Sequence, residues 1–83
     1  MNPVFRRLTP AQVRAARALL RWSREDLARH SQLFVGTIKD LEREKSNPAE
    51  KTLQAIERAF HEAGVVFIHA DRKAGAGVRF ASP

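Results

Sequence analysis

Lys39, Asp40 and Arg43 are the side chains of this 83-residue sequence best placed for directional polar chemistry. They fall on one side of a helix-spaced stretch, with Thr37 beside them, while Ile38 and Leu41 take the other side. A lysine ammonium can donate to guanine O6 and N7, and a carboxylate can accept from cytosine N4, so the row has the chemistry to read base edges. A simpler use of the same groups is Lys39 against a phosphate and Asp40 as a local charge balance. Further donors flank the row: Ser23 and Arg24 before it, and Lys45, Ser46 and Asn47 after it.

The composition favours an anionic partner. Fifteen Lys and Arg stand against nine Asp and Glu, a net charge of +6, with an isoelectric point near 11.1. Most of the cations are Arg, whose planar guanidinium suits phosphate better than an ammonium does. The charge is uneven, since the first third of the chain is rich in Arg and holds only Glu25 and Asp26 as acids. The plainer reading of this charge is a soluble basic surface.

Other classes find little support. There is no Cys, which excludes disulfides, thiolate zinc sites and a thiol nucleophile. His30, His61 and His69 are scattered, and His61-Glu62 is not the start of an HExxH motif because residue 65 is Val. Gly75-Ala76-Gly77 lacks the strand–helix context of a phosphate-cradling loop. The residues therefore argue against an enzyme and call for no cofactor or metal. No apolar stretch approaches the ~18 residues of a membrane span. Arg6 and Arg7 lead into no apolar run, so a secretory signal is not expected and a cytoplasmic protein is. The stacking aromatics of RNA-binding sheets are missing.

The elements that must position the row can be read from caps and periodicity. Thr9-Pro10-Ala11-Gln12 predicts a helix start, with Thr9 as cap, Pro10 at the first position and Gln12 closing a capping box. Leu8 and Val13 have the spacing of a hydrophobic staple, and Val13, Ala16, Leu19 and Leu20 form the inward stripe to about residue 21. Ser23 and Asp26 repeat the capping grammar for a second helix, with Trp22 as a core anchor and Leu27 and Ala28 turned inward. A third helix is expected over about 35–44. The turn before it, Ser31-Gln32-Leu33-Phe34, is poor in turn formers, and Leu33 is expected to bury between the helices. Asn47, Pro48 and Glu50 predict the cap, first turn and box of a fourth helix, with Leu53, Ile56, Ala59, Phe60 and Ala63 inward and Gly64 as its stop. The period then changes. Val65 to His69 and Val78 to Phe80, around a polar Gly-containing turn, predict a β-hairpin. Because a lone hairpin is marginal in water, it must pack on the fourth helix, pair with the hairpin of a second copy, or both. The expected divisions are a basic arm at 1–8, a helical domain at 9–63 and a hairpin dimerisation element at 64–83.

Ala16-Arg17-Ala18-Leu19-Leu20, Trp22-Ser23, Leu27-Ala28, Thr37-Ile38, Leu41-Glu42-Arg43 and Pro48 together resemble the lambda-repressor-like, Xre-type helix-turn-helix regulators. The resemblance covers residues 9 to about 63, and small bacterial members with a C-terminal hairpin look nearest. It implies a mainly α fold, a four-helix helix-turn-helix domain with a C-terminal β-hairpin. It also implies a cytoplasmic homodimer on an inverted repeat of double-stranded DNA, acting as a transcriptional regulator with the third helix in the major groove. On that pattern Val35, Gly36, Thr37, Lys39 and Asp40 face base edges. Ser23, Arg24, Arg43, Lys45, Ser46 and Asn47 touch the DNA backbone, and Arg6 and Arg7 are candidates for a flexible arm in a flanking groove. Arg17 and Glu42 match an ion pair tying the first helix to the third. Some relatives act instead as antitoxins or antiactivators that bind a protein partner as well as DNA.

The chain departs from the pattern in four places. Val35 and Gly36 stand where polar base-reading residues are common. Gln32 replaces the usual turn Gly, and Glu44 another, so the backbone must find its left-handed residue elsewhere or use a non-Gly residue at a cost. Phe34 replaces the usual helix-three cap. It could wedge against DNA, cover the core or contact a protein.

Overall fold

The computed structural model describes residues 7–83. Four helices, α1 (Pro10–Leu20), α2 (Arg24–Ser31), α3 (Val35–Glu42) and α4 (Glu50–Glu62), precede an antiparallel hairpin of β1 (Val65–Ile68) and β2 (Gly77–Phe80). The predicted mainly helical fold with a terminal hairpin is the one observed.

The first two helices begin as their cap residues dictate. Thr9 Oγ1 accepts from the Gln12 amide at 3.1 Å and Gln12 Oε1 accepts from the Thr9 amide at 3.0 Å. Ser23 Oγ accepts from the Asp26 amide at 2.9 Å and Asp26 Oδ2 accepts from the Ser23 amide at 2.8 Å. Each box satisfies two amide groups, at the N-cap and N3 positions, that helix geometry leaves without partners.

The other two starts differ. Phe34 precedes α3 and Ala49 precedes α4, and neither supplies a side-chain cap. Asn47 and Pro48 therefore do not open α4 as the sequence suggests. The Pro48 carbonyl accepts from Arg7 Nη2 at 3.1 Å, and the Ala49 carbonyl instead receives the first helical bonds, from Thr52 and Leu53. Glu50 becomes the first helical residue, where its charge complements the helix dipole but closes no box.

All four helices stop on a residue in the left-handed region or reach one within two positions. These are Arg21 (φ 57°), Gln32 (φ 61°), Glu44 (φ 59°) and Gly64 (φ 92°). Only the last is glycine, so the turn that the sequence left unsettled uses non-Gly residues. Glu44 explains why α3 ends at Glu42 and not at 44. Its amide bonds the Leu41 carbonyl at 3.0 Å and the Lys45 amide reaches the Asp40 carbonyl at 2.8 Å, a Schellman closure.

One core joins the elements. Val13, Leu27, Ile38, Ile56, Phe60 and Val65 are fully buried. Leu8 belongs to the same cluster, so the core reaches into the segment expected to be an arm. Leu20, four residues after Ala16, takes the core-side place and leaves Leu19, expected inward, 36% exposed. Trp22 stacks on Phe60 at 5.4 Å between ring centroids and on His30 at 4.2 Å, and Phe60 meets Phe67 edge-on at 5.7 Å. This row runs from α2 through the α1–α2 turn and α4 to β1, an arrangement worth more than its buried area alone.

The hairpin pairs Val65 with Phe80, Val66 with Arg79, Phe67 with Val78 and Ile68 with Gly77. Phe67 and Val78 pack on the helical core. Asp71 shapes the connecting loop by accepting from the Lys73 and Ala74 amides, both at 2.8 Å, and these backbone donors hold its carboxyl below the usual value. The second anchor of the hairpin is Gln12. Its buried amide, beyond closing the α1 cap, donates from Nε2 to the Ile68 carbonyl at 3.1 Å and the Gly77 carbonyl at 3.0 Å.

Candidate nucleic-acid interface

Helix α3 presents two unlike faces. Ile38, Leu41 and Glu42 are buried, while Gly36, Lys39, Asp40 and Arg43 are exposed at positions that share one helical side. Thr37 lies at the boundary, half-buried. At the leading end Val35 is 40% exposed and Phe34 86% exposed. Neither Lys39 nor Asp40 forms a salt bridge among the described residues, so both have free bonding capacity.

The orientation of this helix is set at its other end. Arg17 Nε lies 2.6 Å from Glu42 Oε2 and Arg17 Nη2 lies 2.7 Å from Glu42 Oε1, a two-pronged pairing. Arg17 Nη1 also donates to the Trp22 carbonyl at 2.9 Å. Arg24 Nε adds a bond to Glu42 Oε1 at 3.0 Å, and Arg14 donates to the Glu42 backbone carbonyl. Three guanidinium groups from α1 and α2 thus converge on the last residue of α3, where the helix dipole also favours cations. Burial by itself would push the Glu42 carboxyl up. Hydrogen bonds from Arg17 and then Arg24, with their positive charges, outweigh it and hold the group below its ordinary value. The same bond to Glu42 outweighs desolvation and raises Arg17.

The sequence suggests Arg24 only as a contact to the DNA backbone. Its engagement with Glu42 had no separate sequence signal, because it depends on where α2 crosses α3. With its side chain one-third exposed, it still has guanidinium N–H groups beyond the one given to Glu42. Ser23 spends one oxygen lone pair on the α2 cap and retains its O–H. The Asp26 carboxylate already occupies the N-terminus of α2. It is held below its usual value first by the Ser23 amide and then by Arg29, which lies 2.9 Å away. The anion-attracting end of α2 is therefore partly neutralised from within.

Arg43, Lys45, Ser46 and Asn47 are all exposed along the connection from α3 to α4. Residues 1–6, including Arg6, lie outside the described residues. Arg7 is docked on the Pro48 carbonyl and so differs from the free arm that the sequence suggests. Gln12 and Arg14 were missed as tertiary anchors. The one available signal was Gln12 itself, a polar residue next to Val13 and four before Ala16, on a stripe where a buried amide must find partners.

Residues 13–63, more than half the chain, match the HTH_3 family of helix-turn-helix domains. The chain belongs to that family, which is one of DNA-binding regulators. A comparison with curated proteins gives no significant match. No helix of the described residues is long and apolar enough to cross a membrane.

Proposed function

We propose that the protein is a sequence-specific transcriptional regulator that binds an inverted repeat in double-stranded DNA as a homodimer, with α3 in the major groove. The observation that carries this reading is the exposed row Gly36, Lys39, Asp40 and Arg43 on a helix whose opposite face is locked into the core and whose end is clamped through Glu42. A reading helix must be held rigidly to discriminate bases. Val35, Gly36, Thr37, Lys39 and Asp40 then face base edges, with Lys39 donating to guanine and Asp40 accepting from cytosine. Ser23, Arg24, Arg43, Lys45, Ser46 and Asn47 meet phosphates and fix register without reading sequence.

The hairpin supports the dimer. Among the described residues it is a two-stranded sheet, so each strand has an outer edge with no strand partner there, and Ile68 and Phe80 are 42% and 48% exposed. Such an edge invites pairing with another strand, and a second copy supplies an identical one. Two reading helices on one side of the duplex then address half-sites about one turn, ~34 Å, apart. Methylation interference on a bound duplex tests this. The expected pattern is two patches of essential guanine N7 positions about one turn apart. A single patch argues against the dimer, and the absence of any argues against major-groove reading.

A further inference from the structure

We propose that Phe34 and Val35 make the leading end of α3 a reader of pyrimidine C5-methyl groups, so that the protein separates methylated from unmethylated pyrimidines at one position of each half-site. This inference rests on the DNA-binding reading above and names the chemistry that its least usual residues recognise.

Phe34 is 86% exposed, far more than any other large apolar side chain described. It covers no core, and it gives α3 no cap bond. Val35 follows at 40% exposure. Gly36 offers no side chain and has no atom within 4 Å of where a Cβ would stand. The end of a reading helix that penetrates deepest among base edges is therefore apolar over three consecutive residues, while the cations Lys39 and Arg43 lie further along. Water-exposed aromatic surface of this kind is costly to leave solvated. It is also costly to press against polar base edges, which would lose their hydrogen bonds to water. In the major groove the C5-methyl group is the apolar feature at the base edge. Thymine carries it on an A·T pair, and 5-methylcytosine carries it on a G·C pair. An apolar tip is matched by that group whichever ring bears it. The continuity of Phe34 and Val35 with the Lys39–Arg43 row, and the positive charge of the row facing a polyanion, favour DNA as the occupant over a protein.

The test uses the full chain and an operator duplex selected from random DNA. Each pyrimidine of a half-site is examined as T·A, U·A, C·G and 5-methyl-C·G, and dissociation constants are measured by fluorescence anisotropy. Burial of one methyl group corresponds to about a fourfold gain. Native protein should favour T over U, 5-methyl-C over C, or both, by about that factor at one position. The ratio should fall close to one in the double variant Phe34→Ser, Val35→Ala. Serine is a favourable helix cap, so this variant should melt no lower than the native protein. A preference in the T/U pair alone identifies thymine as the source, and one in the cytosine pair alone identifies methylated cytosine; either supports the proposal. Ratios near one at every pyrimidine of a specifically bound operator overturn the methyl reading alone, as does a ratio that survives the double substitution. Failure to bind any sequence above background overturns the DNA-binding reading with it.

Discussion

The Arg17 guanidinium holds both oxygens of the Glu42 carboxylate, at 2.6 and 2.7 Å, across the junction of α1 and α3. Glu42 is 3% exposed, so removing its main partner strands a charge in a poorly solvated place. Arg17→Ala should lower stability by about 3 kcal/mol, a fall in Tm of roughly 10–20 °C for a domain of this size. Arg24 remains as a partial partner and keeps the loss from being larger. An unchanged Tm in a thermal melt would show that the pair does not hold the helices together.

The same pair gives the fold an acid limit. Glu42 titrates below its ordinary value of 4.5 in the folded protein, so the folded state binds fewer protons than the unfolded state in that range. The stability it contributes is present above pH 4.5 and is lost as pH falls through the depressed folded value. Urea midpoints measured from pH 6 down to pH 3 should drop steeply below about pH 4.5. Glu42→Gln should start lower and flatten this part of the profile. A variant with the native slope would assign the acid sensitivity to other carboxylates.

Gln12 fastens the hairpin to α1 through two backbone carbonyls. Gln12→Ala removes that bond pair and half of the α1 capping box, a loss of about 1–3 kcal/mol. The loss should concentrate at the hairpin. Hydrogen exchange at β1 and β2 amides should accelerate more than exchange in α2 or α3. Uniform acceleration would mean that the hairpin and helices open only together.

The left-handed residues Gln32 and Glu44 carry backbone strain that glycine would not. Gln32→Gly and Glu44→Gly should each stabilise the fold by about 0.5–1 kcal/mol, the relief of Cβ strain less the added freedom of the unfolded chain. A chemical denaturation midpoint shifted downward would contradict this. These turns were illegible in the sequence for the same reason. Nothing in Ser31-Gln32-Leu33-Phe34 announces a turn; the αL residue Gln32 closes α2, with the Leu33 amide bonded back to the Ala28 carbonyl at 3.0 Å.

Lys39 and Lys45 should separate reading from anchoring. Lys39→Ala should relax preference at one base pair of each half-site and leave other positions unchanged. Lys45→Ala should weaken all sequences alike and reduce the salt dependence of binding by about one unit of slope per subunit. Arg24→Ala should act like the latter but with a lower Tm, because it also loosens Glu42. Identical behaviour of the lysine variants across operators would dissolve the proposed division.

Much of this architecture was legible because it rests on local chemistry. The Thr9–Gln12 and Ser23–Asp26 boxes, the Ile38 and Leu41 stripe and the Gly64 stop all depend on residues a few positions apart. The α4 start departs from the local pattern: Asn47 and Pro48 have the types of a cap and first turn, yet Ala49 is the N-cap and the Pro48 carbonyl meets Arg7, a partner too distant in sequence to leave a local signal. At the site, the exposed row of α3 followed from helical spacing. The triple convergence of Arg14, Arg17 and Arg24 on Glu42 did not, since it is fixed by how three helices cross.

Sequence-specific recognition by α3 is tested by selecting bound fragments from random DNA and titrating the best fragment across a salt series. A palindromic site should be bound at least ~10³-fold more tightly than a scrambled duplex at physiological salt. Weak binding that ignores sequence and vanishes with salt would mean that the basic charge acts alone, and would contradict base reading by α3.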